Sequence, residues 1–147
     1  MRIGVTGTRK GCTPQQLAAA MDFLGQLDPD VRSSTARLHH GDCVGVDAEL
    51  HELALELGIK VVVHLPADDS HRAFCEDFHV KRKPAPYLDR NRNIVLETET
   101  LLAFPDSTVE RMESGTWSTV RFARKTLHPV IIIVYPDGTM RTEGPGR

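Results

Sequence analysis

The sequence has 147 residues, of which 40% are hydrophobic and 26% are charged, and its formal net charge is −2. This length suits one domain, spanning residues 1–147, and is sufficient to bury a core. The acidic balance argues against a general nucleic-acid coat, so any bound anion must be held by a local group of cations.

The N-terminus and the cysteines bear on the cellular compartment. Strand-like residues follow Met1 directly, without the apolar stretch of a signal peptide, and the longest apolar run, 130–134, is too short to span a bilayer. The three cysteines, Cys12, Cys43 and Cys75, are odd in number and form no CxxC pair. We therefore expect a cytoplasmic protein that lacks a disulfide framework and does not contact a membrane.

Short runs of β-branched or aliphatic residues predict the strands, at residues 3–5, 36–39, 60–65, 101–104 and 130–135. Residues 61–63 and 131–133 are apolar throughout instead of alternating with polar residues. Such runs are typical of strands that are covered on both faces. The sequence therefore predicts a parallel sheet between two layers of helices.

Three segments between these strands have helical periodicity. Their predicted apolar faces consist of Leu17, Ala20, Met21 and Leu24; of Val46, Leu50, Leu53, Ala54 and Leu57; and of Val120, Ala123 and Leu127. Gly58 ends the second helix, and Pro129 follows the third. The alternation of strands and helices predicts an α/β class fold, a Rossmann-like three-layer sandwich with helices on both faces of the sheet.

Two segments do not fit this alternation. Residues 67–86 are polar and contain Pro84 and Pro86. For them we predict a long active-site loop with a short helix near residues 70–78. Residues 135–139 have the composition of a hairpin turn.

In a parallel sheet, ligands bind beyond the carboxyl ends of the strands, where loops and helix N-termini meet. Four segments are predicted to lie there, and the first is the turn after the first strand. Gly7 permits close approach of a ligand, while Thr6, Thr8 and Arg9 offer hydroxyl and guanidinium donors for a phosphate. A simple strand-to-helix turn explains the same residues equally well.

The second segment joins a strand to a strongly amphipathic helix. Gly41 and Gly45 lie at the helix start beside His40, where free N–H groups can receive an anion or a sugar. Asp42 and Asp47 could bind ribose hydroxyls or could simply cap the helix. We favour a functional role for this loop as a unit rather than for any single residue in it.

The third segment is basic. Five cations fall between residues 81 and 92 of a chain that is acidic as a whole. Arg90, Asn91 and Arg92 place two guanidinium groups around an amide, a set of donors suited to a phosphate. A solvated charged face is the alternative.

The fourth segment precedes the last helix. Ser114 or Thr116 can cap that helix, Gly115 permits close approach, and Thr119 follows one turn later. The helix N-terminus would then face the same edge of the sheet and attract an anion. The alternative is that these residues only cap the helix.

Metal binding is not predicted. His39, His40, Cys43 and His51 are near one another in the sequence, but adjacent strand residues point to opposite faces, and no HxxxH or CxxC spacing is present. A nucleophile elbow is also absent. We therefore expect neither a metal nor another cofactor.

Together these segments resemble the SLOG superfamily, which includes the DNA-processing protein Smf/DprA and the cytokinin-activating LOG enzymes. The likeness is greatest to the small stand-alone YspA/YpsA-like branch and covers about residues 2–138 by order and spacing of motifs. The matching motifs are Gly7-Thr8-Arg9, His40-Gly41-Asp42-Cys43-Val44-Gly45-Val46-Asp47, Asp89-Arg90-Asn91-Arg92-Asn93-Ile94, Leu102-Ala103-Phe104-Pro105 and Ser114-Gly115-Thr116.

The resemblance implies a Rossmann-like sheet, a homodimer and a nucleotide or nucleotide-derived ligand. Some members of the superfamily are sensors in bacterial or phage conflict systems, and others cleave the N-glycosidic bond of nucleoside monophosphates. It also implies these ligand-binding residues: Thr6, Gly7, Thr8, Arg9, His40, Gly41, Asp42, Gly45, Asp47, Arg90, Asn91, Ser114, Gly115, Thr116 and Thr119.

Two departures from the family pattern matter. Asp42 replaces a glycine and Val44 replaces an arginine, and each unit charge near a surface changes phosphate binding by about 1–4 kcal/mol. The LOG hydrolases also carry a catalytic glutamate after the Gly-Thr pair, where this chain has Trp117, Ser118 and Thr119. The missing carboxylate argues against carrying over the hydrolase activity.

Three hypotheses follow. The leading one is a small domain that binds or senses a nucleotide. The second is an N-glycosidic-bond hydrolase or transferase in which Asp42, Asp47 or Glu113 is the working carboxylate. The third is single-stranded DNA binding, which the cations between residues 81 and 92 allow but the low aromatic content of 5% disfavours.

Overall fold

The computed structural model describes residues 1–126 and 129–144. In chain order its elements are β1 (Arg2–Gly7), α1 (Pro14–Gly25), α2 (Pro29–Ser34), β2 (Arg37–His40), α3 (Val46–Glu56), β3 (Lys60–Pro66), β4 (Val80–Ala85), α4 (Tyr87–Glu97), β5 (Thr100–Phe104), α5 (Gly115–Thr126), β6 (Val130–Val134) and β7 (Met140–Glu143). Leu127, which we place in the apolar face of the last helix, lies outside the described residues.

The strands form one sheet in the order β4-β3-β2-β1-β5-β6-β7. All neighbouring pairs from β4 to β6 are parallel, and β7 is antiparallel to β6. The chain moves outward from β1 to β4 and then returns to place β5 on the other side of β1. The junction between β1 and β5 is therefore the topological switch point, where open α/β sheets bind their ligands.

Helices cover both faces of this sheet. Ile132 and Val134 of β6 belong to the core beneath α1 and α3, whereas Ile131 and Ile133 belong to the core beneath α4 and α5. The continuous apolar run of β6 thus supplies both cores, because successive side chains of a strand point to opposite faces. The predicted Rossmann-like three-layer sandwich is confirmed.

The first helix begins with a reciprocal cap. The hydroxyl of Thr13 accepts the N–H of Gln16 at 3.0 Å, and the side-chain oxygen of Gln16 accepts the N–H of Thr13 at 2.9 Å. The buried amide of Gln16 also donates to the carbonyls of Pro105 and Val134, at 2.8 and 2.9 Å. One side chain therefore starts α1 and joins it to the ends of two strands.

The prediction for residues 67–86 is wrong in two respects. Residues 70–78 form no helix, and residues 80–85 form β4, an edge strand parallel to β3. An edge strand faces water on one side and needs no apolar alternation, so its charged residues gave no strand signal. Pro84 is tolerated there because an edge position has N–H groups without a ladder partner.

The hydrophobic periodicity of the sequence predicts none of three further elements, α2, α4 and β7. The hairpin turn at 135–139 is present and joins β6 to β7, with the N–H of Tyr135 bonded to the carbonyl of Thr139 at 2.8 Å. Within the described residues, no helix has the length and apolar character needed to cross a membrane.

Candidate functional site

Two adjoining cavities open at the carboxyl edge of the sheet. The larger has a volume of about 520 Å³ and is lined by Gly7, Thr8, Arg9, Lys10, Val44, His71, Asp106, Arg111, Glu113, Ser114, Gly115 and Thr116. The smaller has a volume of about 300 Å³ and is lined by Arg9, Cys43, Pro66, Ala67, Asp68, His71, Pro86 and Tyr87. We call them the polar cavity and the apolar cavity. Arg9 and His71 line both.

The polar cavity lies at the switch point between β1 and β5. The N–H of Thr8 bonds to the carbonyl of Phe104 at 3.1 Å, which holds the ends of these two strands together. The N-terminus of α5 forms the opposite wall, with Gly115 and Thr116 in the lining. Its first turn contains no acidic residue, so its dipole favours an anion in this cavity.

Ser114, which lines the polar cavity, also caps the N-terminus of α5. The hydroxyl of Ser114 accepts the N–H of Trp117 at 3.2 Å, and the hydroxyl of Thr119 donates to the carbonyl of Gly115 at 3.0 Å. The side chain of Ser114 therefore caps the helix, whereas that of Thr119 bonds to the carbonyl one turn earlier.

The cations that line the polar cavity differ in whether they already pair with a carboxylate. Lys10 pairs with Asp106 at 3.0 Å, and Arg111 pairs with the same carboxylate. The hydrogen bond from Lys10, followed by that from Arg111, lowers the pKa of Asp106. Arg9 forms no ion pair within residues 1–126 and 129–144, so its guanidinium is the cation available to a ligand.

The apolar cavity is built around Tyr87, the first residue of α4. The Tyr87 side chain is 46% exposed, and the guanidinium of Arg90 lies 4.8 Å from the centre of its ring. Cys43 lines the same cavity, and burial, with the charge of Asp47, raises the pKa of its thiol. An aromatic wall, prolines and a neutral thiol suit an uncharged, flat group.

The glycines of the first two predicted segments are required by close packing between them. A Cβ on Gly7 would lie 2.5 Å from the side chain of Val46, and a Cβ on Gly45 would lie 2.5 Å from the backbone of Arg9. Gly45 also has a φ of +89°. The N–H of Val46 bonds to the carbonyl of Thr8 at 3.1 Å, so the two segments form one packed unit.

Asp42 holds the loop of residues 67–79 against the end of β2. Its carboxylate accepts the N–H of Cys75 and the guanidinium Nε of Arg72, both at 2.9 Å, and its carbonyl accepts the N–H of Ala73 at 2.8 Å. Burial opposes ionisation, but these donors outweigh it and lower the pKa of Asp42. Its φ of +57° lies in the left-handed region, which explains why the family pattern has glycine here.

Asp47 is buried in the first turn of α3. Its Oδ2 accepts the N–H groups of Gly41 and Cys43 at 3.1 and 3.2 Å, and among the described residues its Oδ1 has no partner. Burial raises the pKa of Asp47 to about 6, and the charge of Arg90 opposes the shift. Asp47 thus shapes the loop at residues 41–43 and does not line either cavity.

Arg90 is 2% exposed and its donors bind protein atoms. The guanidinium donates to the carbonyls of Gly41 and His64, while its Nε donates to the side chain of Asn91 at 2.8 Å. A Cβ on Gly41 would lie 2.5 Å from the Arg90 guanidinium carbon. Arg90 therefore joins α4 to the ends of β2 and β3, and lines neither cavity.

Two histidine pairs lie on opposite faces of β2. His40 accepts the N–H of Asp42 through Nδ1 at 2.9 Å, so in its neutral form Nε2 carries the proton and faces Nδ1 of His51 at 2.9 Å. His51 in turn donates from Nε2 to the carbonyl of Glu76. Burial, followed by the charge of His51, lowers the pKa of His40 to about 3, consistent with a neutral pair.

On the other face, His39 Nδ1 lies 2.9 Å from His64 Nε2, and His64 Nδ1 lies 3.7 Å from the carboxylate of Glu97. With Cys75 beside the first pair, each face brings three potential metal ligands together. The facing nitrogens are joined by shared protons, and metal binding at His40 Nε2 would require loss of the Asp42 hydrogen bond. We therefore assign these groups as hydrogen-bonded pairs.

The structure divides the residues named from sequence into two sets. The polar cavity is lined by Gly7, Thr8, Arg9, Glu113, Ser114, Gly115 and Thr116. The remainder, Thr6, His40, Gly41, Asp42, Gly45, Asp47, Arg90, Asn91 and Thr119, line neither cavity.

Sequence reasoning missed Lys10, His71, Tyr87, Asp106 and Arg111. Lys10 directly follows the Gly-Thr-Arg turn and Asp106 directly follows the Phe-Pro strand end, so both could have been found from their neighbours. His71 and Arg111 lie in irregular loops, and no pattern marks them.

The similarity of this chain to known proteins lies in its structure. No protein-family model matches the sequence, and no curated protein matches it. A solved structure of the molybdenum cofactor binding protein from the phototrophic bacterium Rippkaea orientalis is similar, with 25% identity and a TM-score of 0.66 over 91% of this chain and 76% of that chain. The molybdenum cofactor carrier protein from Chlamydomonas reinhardtii is also similar, with 25% identity and a TM-score of 0.63 over 92% of this chain and 75% of that chain.

DNA processing protein A from Streptococcus pneumoniae has 17% identity and a TM-score of 0.62, covering 90% of this chain and 49% of that chain. This chain has the SLOG fold. The SLOG resemblance drawn from the motifs is thereby confirmed at the level of the fold, while the YspA/YpsA-like branch stays a prediction.

Proposed function

We propose that this SLOG-fold protein binds a nucleotide or nucleotide-derived molecule across the two cavities. The observation that carries the proposal is that a polar and an apolar cavity adjoin each other and share Arg9 and His71. A single molecule with a phosphate at one end and a flat heteroaromatic ring at the other would fill both. The phosphate takes the polar cavity and the ring lies against Tyr87.

The charges support this orientation. The N-terminus of α5 and the guanidinium of Arg9, which forms no ion pair with a described residue, both favour an anion in the polar cavity. The apolar cavity has Tyr87 and prolines in its wall, and aromatic stacking suits any purine, pyrimidine or pterin. His71 lies between the two, where it can donate to the sugar or to the phosphate.

A binding or sensing role is favoured over turnover by the positions of the three candidate carboxylates. Both carboxylate oxygens of Asp42 already accept hydrogen bonds from loop residues, Arg72 and Cys75. Asp47 is buried and lines neither cavity. Glu113 alone among the three lines the polar cavity. If the protein is an N-glycosidic-bond hydrolase or transferase, Glu113 is the carboxylate that serves it.

The comparisons widen the set of ligands to be tested. Two similar structures are named as binding or carrying the molybdenum cofactor, a phosphorylated pterin that has the same two chemical parts as a nucleotide. A structure of DNA processing protein A from Helicobacter pylori, at 19% identity, is described by its single-stranded DNA binding mode. Because Lys81 and Lys83 are exposed on the edge strand β4, single-stranded DNA is also a candidate ligand.

The test is a thermal-shift screen against nucleoside mono-, di- and triphosphates, cyclic nucleotides, ADP-ribose-type compounds, molybdopterin and oligodeoxynucleotides, with base release followed in the same wells. A ligand selective for the folded state raises the melting temperature. We expect a shift that is lost in Arg9→Gln and kept in Arg92→Gln, a matched arginine outside both cavities. Absence of any shift overturns the proposal.

Base release that is lost in Glu113→Gln would instead establish the hydrolase. Binding to oligodeoxynucleotides that weakens steeply with salt would favour the DNA hypothesis. The predicted cytoplasmic location belongs to the same proposal, and the three free cysteines fit a reducing compartment.

A further inference from the structure

The two helical layers have opposite charge. α1 and α3 contain no lysine or arginine and carry the acids Asp22, Asp47, Glu49, Glu52 and Glu56. α5 contains no acid and carries Arg121, Arg124 and Lys125, whereas the two arginines of α4, Arg90 and Arg92, are balanced by its two acids, Asp89 and Glu97. Because α1 and α3 pack on one face of the sheet and α4 and α5 on the other, the molecule has one acidic and one basic face.

The acidic face contains a groove between α1 and α3 with a volume of about 290 Å³. We call it the acidic groove, and it is lined by Leu17, Met21, Glu49, Glu52, Leu53 and Glu56. Met21 is 48% exposed. Glu52 and Glu56 are exposed and form no ion pair with any residue in the described part of the chain.

The basic face contains a groove of matching size, about 260 Å³, between α4 and α5. We call it the basic groove, and its lining includes Leu88, Arg92, Met112, Arg121, Phe122 and Lys125. Leu88 is 56% exposed and Met112 is 80% exposed. The guanidinium of Arg92 lies over the ring of Phe122, and neither Arg92 nor Lys125 forms an ion pair with a described residue.

We infer that the basic groove of one copy docks on the acidic groove of a second copy of this chain. Met21 in the acidic groove, and Leu88 and Met112 in the basic groove, are exposed apolar residues beside charges of one sign. The two signs are opposite, and Glu52, Glu56, Arg92 and Lys125 form no ion pair with a described residue. Docking would bury Leu88 and Met112 of one copy against Met21 of the next and pair Arg92 and Lys125 with Glu52 and Glu56. Exposed apolar residues rimmed by charge are typical of interaction surfaces.

The placement of the grooves sets the form of the assembly. They lie on opposite faces of the sheet, so the contact joins two different surfaces and leaves a free groove at each end. Such a heterologous contact between opposite faces extends into an open stack rather than closing as a symmetric pair. It therefore differs from the homodimer that the SLOG resemblance implies, which would pair one surface with itself.

The stack is compatible with ligand binding because neither groove shares a residue with the polar or the apolar cavity. The two cavities open at the carboxyl edge of the sheet, at right angles to the stacking direction. This inference does not rest on the proposed function, and each can fail without the other.

Charge reversal tests the contact. In Glu52→Lys/Glu56→Lys the lining of both grooves is net positive, because only Glu49 stays acidic in the first, and in Arg92→Glu/Lys125→Glu the lining of both is net negative, because only Arg121 stays basic in the second. The four positions are exposed and lie outside the ligand cavities, so we expect both double variants to fold and to keep the ligand-induced thermal shift. Sedimentation equilibrium of the full chain gives the average mass as a function of concentration and salt.

For the wild type we expect the average mass to rise with concentration beyond that of two chains at low salt and to fall toward that of one chain at high salt. We expect each double variant alone to remain a single chain, and an equimolar mixture of the two to assemble again. A wild type that stays monomeric at every concentration overturns the inference. A dimer that persists unchanged in Glu52→Lys/Glu56→Lys also overturns the inference, because a contact that uses the acidic groove would be lost in that variant.

Discussion

Asp42 and Arg72 form an ion pair with 2.9 Å between Oδ2 and Nε, in which the carboxylate is buried and the guanidinium is mostly buried. This pair, with the Cys75 N–H on the other carboxylate oxygen, holds the loop of residues 67–79 against the sheet. The loop supplies His71 to both cavities. Asp42, which the SLOG resemblance implies as a ligand-binding residue, therefore acts through the loop that lines the cavities.

Asp42→Asn tests this role, because asparagine tolerates the left-handed backbone but removes the charge that accepts both donors. We expect a loss of about 1–3 kcal/mol in the free energy of unfolding, since hydrogen bonds to charged groups are among the stronger ones. Asp69→Asn is the matched control, because Asp69 also pairs with Arg72, at 3.3 Å, but its side chain is 65% exposed. Equal effects of the two changes in urea unfolding would contradict the assignment.

Acid should destabilise the protein through its buried histidines. Burial lowers the pKa of His40 and of His64 to about 3 and that of His39 to about 4, from an ordinary value of 6.5. Below 6.5 the unfolded chain takes up protons that the folded protein does not, so stability is retained above that pH and falls as the pH is lowered toward 4. For one such histidine the loss by pH 4 is about 3 kcal/mol.

Urea unfolding between pH 7 and 4 measures this slope. We expect His64→Asn to reduce it, whatever its effect on absolute stability, because His64 then has no proton to take up. His79→Gln, a change at an exposed histidine, should leave the slope as it is. A slope that is the same in His64→Asn as in the wild type would contradict a neutral pair of His39 and His64.

Asp47 should have the opposite dependence on pH. Its pKa in the folded protein is raised from 3.8 to about 6, so the folded protein holds an extra proton between these values and stability is lost as the pH rises through them. Asp47→Asn removes that loss while keeping an oxygen for the N–H groups of Gly41 and Cys43. We expect the variant to gain stability relative to the wild type as the pH rises from 4 to 7. A constant difference across this range would contradict the raised pKa.

The charges of the polar cavity limit the number of phosphates it favours. Asp106 pairs with Lys10 and Arg111, which leaves Arg9 as the unpaired guanidinium among its described residues. We therefore expect a nucleoside monophosphate to bind at least as tightly as the corresponding triphosphate. Asp106→Asn should release both cations and tighten triphosphate binding by about 1 kcal/mol, roughly fivefold in Kd.

Calorimetric titration of both nucleotides measures this preference. Asp89→Asn is the control, since Asp89 lies on α4 and lines neither cavity. A wild type that already prefers the triphosphate, or equal nucleotide affinities of the two asparagine variants, would contradict this role of Asp106.

Substitutions at Gly45 and Gly58 distinguish the energetic cost of lost packing from that of backbone strain. Both have positive φ, +89° and +75°, but a Cβ on Gly45 would lie 2.5 Å from the backbone of Arg9, whereas a Cβ on Gly58 would meet nothing within 4 Å. We expect Gly58→Ala to cost about 1 kcal/mol in unfolding free energy, from its backbone alone. Gly45→Ala should cost more and should also weaken ligand binding, because it displaces Arg9. Equal unfolding costs would contradict the packing of the two segments.

The fold could be predicted from the sequence because its signals are local. Residues 61–63 and 131–133 are apolar throughout, and a run of this kind has to be buried on both faces. β4 gave no such signal, since an edge strand needs no apolar pattern and its Lys81 and Lys83 are exposed. β4 is a strand because it pairs with β3, and its own residues do not specify that pairing.

The candidate site could be predicted only in part, for a related reason. The turn at Gly7–Arg9 and the start of α5 are marked by glycines and hydroxyls, and the structure places both in the polar cavity. Asp47 and Arg90 are polar residues with the same appearance in the sequence, but they are buried and bind the backbone of neighbouring loops. Which polar residues face a ligand depends on packing between distant segments, and the sequence alone does not specify that packing.

The central claim, that one molecule occupies both cavities, is tested most directly by a crystal structure of the complex with whichever compound raises the melting temperature most. We expect its phosphate to lie within hydrogen-bonding distance of Arg9 and the N-terminus of α5, and its ring to lie against Tyr87. A ligand bound elsewhere, or one whose phosphate lies away from Arg9, would contradict it.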